Sequence, residues 1–186
     1  LYYEGDRMSL DLDVRMTRII HMNALKKEIS KEAVRLLKVE TTPEVTIKQV
    51  LSGQRVDLGD TALFEESQAY AVAFRGMESE VGLAFTYLDP TLPYVDEEES
   101  GFWMGVMVQG EREPVEFALA AIIARSAAKI SGPASEIIDE RKFWSSQRVN
   151  HYHDFVNDIE IGDRFDRVEQ ASEEFYSKLP KGDPIE

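Results

Sequence analysis

Hydrophobic residues first recur along the chain with a period of two. Met8, Leu10, Leu12, Val14 and Met16 alternate with polar neighbours, the pattern of a strand half-buried on one face. From Leu25 the period lengthens. Leu25, Ile29, Ala33, Leu36 and Leu37 share one side of a helix over about 24 to 38, with Lys and Glu opposite and Asn23 placed to cap it. Thr42-Pro43, an apolar stripe of Ile47, Val50 and Leu51, and Ser52-Gly53 predict a second, shorter helix with its start and stop signals.

The centre of the chain predicts a three-stranded antiparallel meander. Tyr70, Val72 and Phe74 alternate with Ala69, Ala71 and Ala73, and Val81, Leu83, Phe85 and Tyr87 alternate with Gly82, Ala84 and Thr86, so both strands have a bulky side and a small side. The connection 76–80 is short enough for a hairpin. In the third strand, 102–109, Phe102, Met104, Val106 and Val108 oppose Trp103, Gly105 and Met107. The link between the second and third strands is longer and carries Asp89, two prolines and the run Asp96, Glu97, Glu98 and Glu99.

An alanine-rich helix follows over roughly 113 to 131, ended by Gly132-Pro133, and its alanines suit close approach to the small-residue face of the sheet. A fifth strand is predicted at Ser135 to Asp139. A terminal helix carries the thin seam Phe165, Val168, Ser172, Phe175 and Leu179. The order β-α-α-β-β-β-α-β implies an α+β fold, an antiparallel sheet of about five strands with helices mainly on one face, divided as a core over 1–145 and a C-terminal helical extension over 146–186. No internal repeat is present.

With 186 residues the chain suits one sizeable core, and 43% hydrophobic against 30% charged residues is a globular balance. The absence of cysteine excludes disulfides, thiolate metal sites and a cysteine nucleophile. The longest apolar stretch, 117–124, is far too short to span a bilayer, and the opening residues are acidic rather than basic, so a cytoplasmic protein is expected, although the first residue is Leu1 and a leader can precede it. The net charge is −14, and all of the imbalance lies beyond position 60, where eleven Lys or Arg face twenty-five Asp or Glu. A surface of that sign repels phosphates and anionic lipid, so neither nucleic acid nor membrane is an expected partner. Solubility alone accounts for such a charge; the more specific reading is a basic protein partner.

Several chemistries have candidate residues in the chain. His151-Tyr152-His153-Asp154 has the residue types of a metal site, with His151, His153 and Asp154 or Asp158 as ligands and an open position to activate water, which would make a hydrolase. No third histidine lies near, and a solvated turn or helix start accounts for the segment more simply. Residues 157–163 fail as a calcium loop, since anchoring Gly162 at the sixth position puts Val168 where the bidentate Glu belongs. No phosphate-binding glycine loop and no serine nucleophile motif is found, Asp11 and Asp13 read as surface charges, and no cofactor is implied.

The remaining candidate is an interface. Phe102-Trp103 directly follows the acidic loop and its rings point to opposite faces, so an aromatic anchor could sit beside Asp89, Asp96, Glu97, Glu98 and Glu99. The competing reading covers both faces, one by the alanine-rich helix and one by the C-terminal helix, which makes Trp103 ordinary core. The expectation is thus a non-enzymatic acidic binding protein of the immunity or inhibitor kind that neutralises a basic partner such as a toxin effector, as a monomer or homodimer. A homo-oligomeric module, joined through the seam Phe165 to Leu179, is the other non-enzymatic alternative.

Overall fold

The computed structural model describes residues 10–59, 62–96, 100–108 and 112–182. It contains one eight-stranded antiparallel sheet and three helices. The strands are β1 (Leu10–Met16), β2 (Val45–Leu51), β3 (Gln54–Asp57), β4 (Ala69–Phe74), β5 (Val81–Leu88), β6 (Gly101–Val108), β7 (Glu136–Ile138) and β8 (Val149–His151). The helices are α1 (Met22–Leu37), α2 (Pro114–Ser131) and α3 (Val168–Ser177). In space the strands run β3-β2-β4-β5-β6-β1-β7-β8, so β1 lies inside the sheet and α1 carries the chain from β1 across to β2 on the far wing.

The predicted meander forms as β4-β5-β6, and β1, α1, α2, β7 and α3 stand where periodicity put them. The sheet, however, has eight strands rather than about five. The predicted second helix is instead the hairpin β2-β3, and its would-be stop signal is the turn. Ser52 and Gly53 both have positive φ, 49° and 81°, the backbone of a two-residue type I′ hairpin turn. Val45, Thr46, Ile47 and Val50 are β-branched and favour the pleated backbone, with Ile47 buried opposite Val72. Helix α1 begins at Met22, so Asn23 lies within its first turn; His21 occupies the cap position in an extended conformation and bridges Leu63.

Most of the bulky strand residues on one face are buried. Leu12, Val14, Val72, Val81, Leu83, Met104, Val106 and Val108 are fully covered, and with α1 and α2 they form the core. The opposite face carries Ala69, Ala73, Gly82, Ala84, Trp103, Gly105 and Met107, which are half-buried or exposed, and Ala71, which is buried. The sequence-based pairing of faces is therefore reversed, because α2 packs on the bulky side of the sheet. Its alanines serve a different closeness, since α2 is buried nearly all round, between the sheet on one side and α1 and α3 on the others. The C-terminal extension lies on this helical side too, adding Phe155, Ile161, Ala171, Phe175 and Leu179 to the one core cluster. The seam proposed for a neighbouring subunit is thereby spent within the chain.

Charged groups tie these layers together. Glu32 on α1, buried to 2% exposure, accepts from Arg125 Nε at 2.9 Å, Lys129 Nζ at 2.9 Å and Arg35 Nε at 3.0 Å. Arg125 also donates to the Phe155 carbonyl at 2.6 Å, which fastens the extension to the helical layer. Lys38, the left-handed residue that ends α1, donates to the Ile161 carbonyl, and a parallel bridge joins Val39 to Phe165.

Candidate functional site

The helices leave one end of the sheet's bulky face uncovered, where β1 and β5 end and β6 begins. A pocket of about 250 Å³ opens there between Met16, Ile19, Phe64, Phe85, Tyr87 and Phe102, with Thr86 and Trp103 completing its wall. Its floor is built by alternation. Phe85 and Tyr87 on β5 share a face with Phe102 on β6, and the Tyr87 and Phe102 rings lie 4.8 Å apart. Phe64 stacks on Phe85 at 4.1 Å, and Tyr70 meets both rings edge-on. The segment bearing Phe64 is held by three hydrogen bonds: Glu65 N–H donates to the Tyr70 hydroxyl at 2.8 Å, Ser67 N–H to the Phe85 carbonyl at 3.2 Å, and Tyr87 N–H to Glu66 Oε1 at 3.2 Å. Burial pushes the Tyr70 hydroxyl's pKa up, so it stays protonated.

Among the described residues, Glu66 is the one charged side chain lining this pocket. An apolar, aromatic wall with a single carboxylate at its mouth favours a group that is both oily and cationic, because the ring faces and the anion attract the same charge. The stretch of sequence that supplies β5 and β6 carries the same sign. Residues 76 to 111 contain no Lys or Arg and eight Asp or Glu. Within that stretch Glu80, just before β5, pairs with Arg55, and elsewhere carboxylates alternate with cations, as in the pairs Arg15–Glu136, Arg75–Glu44, Arg148–Glu140 and Arg167–Glu169.

Of the residues proposed from sequence, Asp89 sits just past β5 and accepts from both Thr91 N–H at 2.8 Å and the Thr91 hydroxyl at 2.7 Å. Those two bonds hold its carboxyl below the ordinary aspartate range, so it is charged at neutral pH. Asp96 is exposed on the β5–β6 connection, where its carbonyl accepts from Ser100 N–H at 3.0 Å. Glu97, Glu98 and Glu99 lie outside the described residues. Trp103 is half-buried and projects to the face opposite α2, between Thr86 on β5 and Arg15 on β1 in the register. No helix covers it, which corrects the reading of Trp103 as core beneath the C-terminal helix; Trp144, 1% exposed, is the core tryptophan. Sequence reasoning missed Phe64, Glu66 and Ile19, which reach the pocket from segments outside regular strands and helices.

The histidines do not form a ligand set. His151 closes β8 and is exposed, and residues 152–158 turn back beneath it, so the segment is neither a helix start nor a cleft. Its ring lies parallel to that of His153, 5° apart in orientation with centroids at 5.9 Å, and His153 Nε2 is 3.2 Å from Asp154 Oδ2. Parallel rings at that spacing do not aim two nitrogens at one point. Among the described residues no three His, Asp or Glu side chains converge as metal ligands, and no helix is long and apolar enough to cross a membrane. No protein-family model matches the chain, and no curated protein and no solved structure matches it.

Proposed function

We propose that this chain is an acidic binding protein of the immunity or inhibitor kind, which neutralises a basic protein, for example a toxin effector, by docking it on the sheet end where β5 finishes and β6 begins. The observation that carries the reading is the aromatic pocket with Glu66 at its mouth, whose β5 and β6 wall belongs to a stretch of sequence free of Lys and Arg. A cationic side chain with an apolar stem would enter the pocket, while Asp89, Asp96 and the following glutamates steer the approach and Trp103 supplies contact area at the edge. A field of that sign speeds association and weakens with salt. A cytoplasmic setting, shared with the partner, belongs to the same reading.

The test is affinity capture from the native host at low salt. The wild-type chain is compared with a rim variant (Glu66→Gln, Asp89→Asn, Asp96→Asn) and with a control (Asp158→Asn, Asp163→Asn, Glu173→Gln) of the same net charge. A basic protein retained by wild type and control and lost by the rim variant is expected. If each exposed charge contributes up to about 1 kcal/mol, each rim substitution weakens binding by up to about fivefold. Recovery of no basic protein would overturn the reading, and equal loss from both variants would show that bulk charge and not this site is responsible.

A further inference from the structure

The pocket where β5 ends and β6 begins restricts the chemistry of its cation more closely than charge alone does. Its volume, about 250 Å³, lies just below the roughly 300–1,000 Å³ of sites for drug-sized molecules, so a compact head group fills it. Four aromatic rings line it. Phe64 and Phe85 are buried, whereas Phe102 is half-buried and Tyr87 is 42% exposed, so the last two stand at the opening. Their planes are inclined at 39°, which makes a shallow aromatic angle beside Glu66.

Hydrogen-bond acceptors are scarce there. A lysine ammonium carries three N–H donors and an arginine guanidinium five, and each donor buried without a partner weakens binding by about tenfold or more. Glu66 Oε1 already accepts from Tyr87 N–H, so two-pronged pairing with a guanidinium would have to displace that bond. The Phe85 carbonyl is taken by Ser67 N–H. Thr86 alternates with Phe85 and Tyr87 along β5 and stands opposite Trp103, which directs its hydroxyl to the other face of the sheet. Among the described residues, Glu66 Oε2 and the Tyr87 hydroxyl are the oxygen acceptors that the lining side chains leave for a ligand.

From this imbalance between aromatic surface and acceptors we infer that the pocket holds a quaternary ammonium head group, carried by a small molecule such as choline or by a trimethylated lysine side chain. Such a group bears a full positive charge and no N–H, so no donor is left unmatched when water is expelled. Its methyl groups pack on the rings, whose faces attract the charge, and Glu66 adds an anion at the mouth. The inference rests on the same pocket as the basic-partner reading and specifies the group that enters it.

The neighbouring charges fit a ligand that is cationic and carries no anion of its own. Arg15 and Arg18, the cations beside Met16 in the chain, are held elsewhere: Arg15 lies 3.7 Å from Glu136, and Arg18 donates to the Ile130 carbonyl through Nε at 3.2 Å and Nη2 at 2.8 Å. A carboxylate or phosphate close to the quaternary nitrogen would instead meet Glu66, with the charged Asp89 two residues beyond Tyr87. Betaines and phosphocholine lipids therefore fall outside the class.

NMR titration of the full chain at constant ionic strength, followed at the Met16 methyl and the ring resonances, provides the test. Three probes share nearly one shape: choline, ethanolamine, which keeps the charge but exchanges the methyls for N–H, and the tert-butyl carbon analogue of choline, which keeps the methyls but has no charge. Choline is expected to bind with a Kd of about 1 mM, at least about tenfold tighter than either analogue, and glycine betaine more weakly than choline. Glu66→Gln should weaken choline by up to about fivefold and Tyr87→Leu by about threefold or more, with circular dichroism confirming that both variants keep the fold. A peptide with one trimethyllysine among neutral residues separates the sources: tighter binding than choline assigns the head group to a protein side chain, weaker binding to a free small molecule, and both support the head-group chemistry. Choline that does not saturate the shifts, an analogue or betaine that binds as tightly, or variants that bind as wild type does overturn the proposal. A captured basic protein beside failed choline binding would leave the partner reading standing with an unmethylated side chain, and choline binding without a captured partner would leave the head-group site standing alone.

Discussion

Replacing Arg125 by methionine tests what holds the helical layer to the C-terminal extension. Arg125 and Glu32 expose only 5% and 3% of their side chains, so the bond between them is shielded from water. Removing one partner of a buried pair costs about 3–5 kcal/mol, because the other charge is left without compensation. Here Lys129 and Arg35 still reach Glu32, although both are partly exposed and count for less, and the Phe155 carbonyl also loses its donor. A loss near the lower limit, about 3 kcal/mol, is expected, or roughly 6–12 °C in Tm for a domain of this size. Denaturant unfolding by linear extrapolation and calorimetry measure it. The double variant Arg125→Met with Glu32→Leu should recover at least about 1 kcal/mol of that loss, since an apolar pair of similar volume avoids the desolvation of both charges. Burial pushes the Glu32 carboxyl up, but hydrogen bonds from Lys129 and Arg35 and the charges of Arg35 and Arg125 outweigh it and hold the pKa below the ordinary glutamate value. A carboxyl depressed in the folded state contributes stability in full above the unfolded pKa, and that contribution is lost as pH falls through the folded one. The parent should therefore weaken more steeply than the double variant as the pH is lowered below the ordinary glutamate range. A loss under about 1 kcal/mol for Arg125→Met, or a double variant less stable than the single one, would refute this account of the network.

Two further substitutions probe turns that set the edges of the fold. Asp139 is fully buried and its carboxylate accepts from the backbone N–H groups of Phe143, Trp144 and Ser145 at 3.0, 2.7 and 2.9 Å, so Asp139→Ala should lose about 3 kcal/mol or more in chemical denaturation; near-parent stability would mean those donors find other acceptors. Gly132, at φ 138°, ends α2 where an added Cβ would stand 2.8 Å from Thr17 Oγ1, whose hydroxyl donates to the Ser131 carbonyl. Gly132→Ala should therefore cost about 1–3 kcal/mol in the same assay, and an alanine variant as stable as the parent would show that the backbone there relaxes.

Where one periodicity ran long enough, the sequence was legible. The alternation of Leu10, Leu12, Val14 and Met16, the meander's bulky and small sides, and the apolar length of α2 each had one physical solution. Short elements defeated it. In residues 45–51, Ile47, Val50 and Leu51 satisfy helical spacing while Val45, Ile47 and Gln49 satisfy alternation, and the β-branched content with the I′ turn at Ser52-Gly53 decided for strand. Three-residue β8 has no period to detect; it exists because Asp139 accepts three backbone amides of the preceding turn and Asn150, buried at 4%, pairs with Ser145 and Gln147. The candidate site was half visible for a related reason. Trp103, Asp89 and Asp96 stand near one another in the chain, but Phe64 and Glu66 reach the pocket through tertiary bonds to β4 and β5 that no local pattern announces.

The reversed assignment of the sheet faces has the most consequence, and its reason is volume. A helix and a sheet pack about 10 Å apart, and that gap must be filled to the density of a protein interior. Helix α2 brings alanines to it, so the filling volume has to come from the sheet, from Tyr70, Val72, Leu83, Met104 and Val106. Alanines and glycines facing the alanines of α2 would have left a void. The same constraint that sends the bulky residues inward leaves the small ones on the outer face. A surface of small residues is poorly suited to a helix, which would again need volume to fill the gap. The packing of the core on one side of the sheet thus restricts what can cover the other.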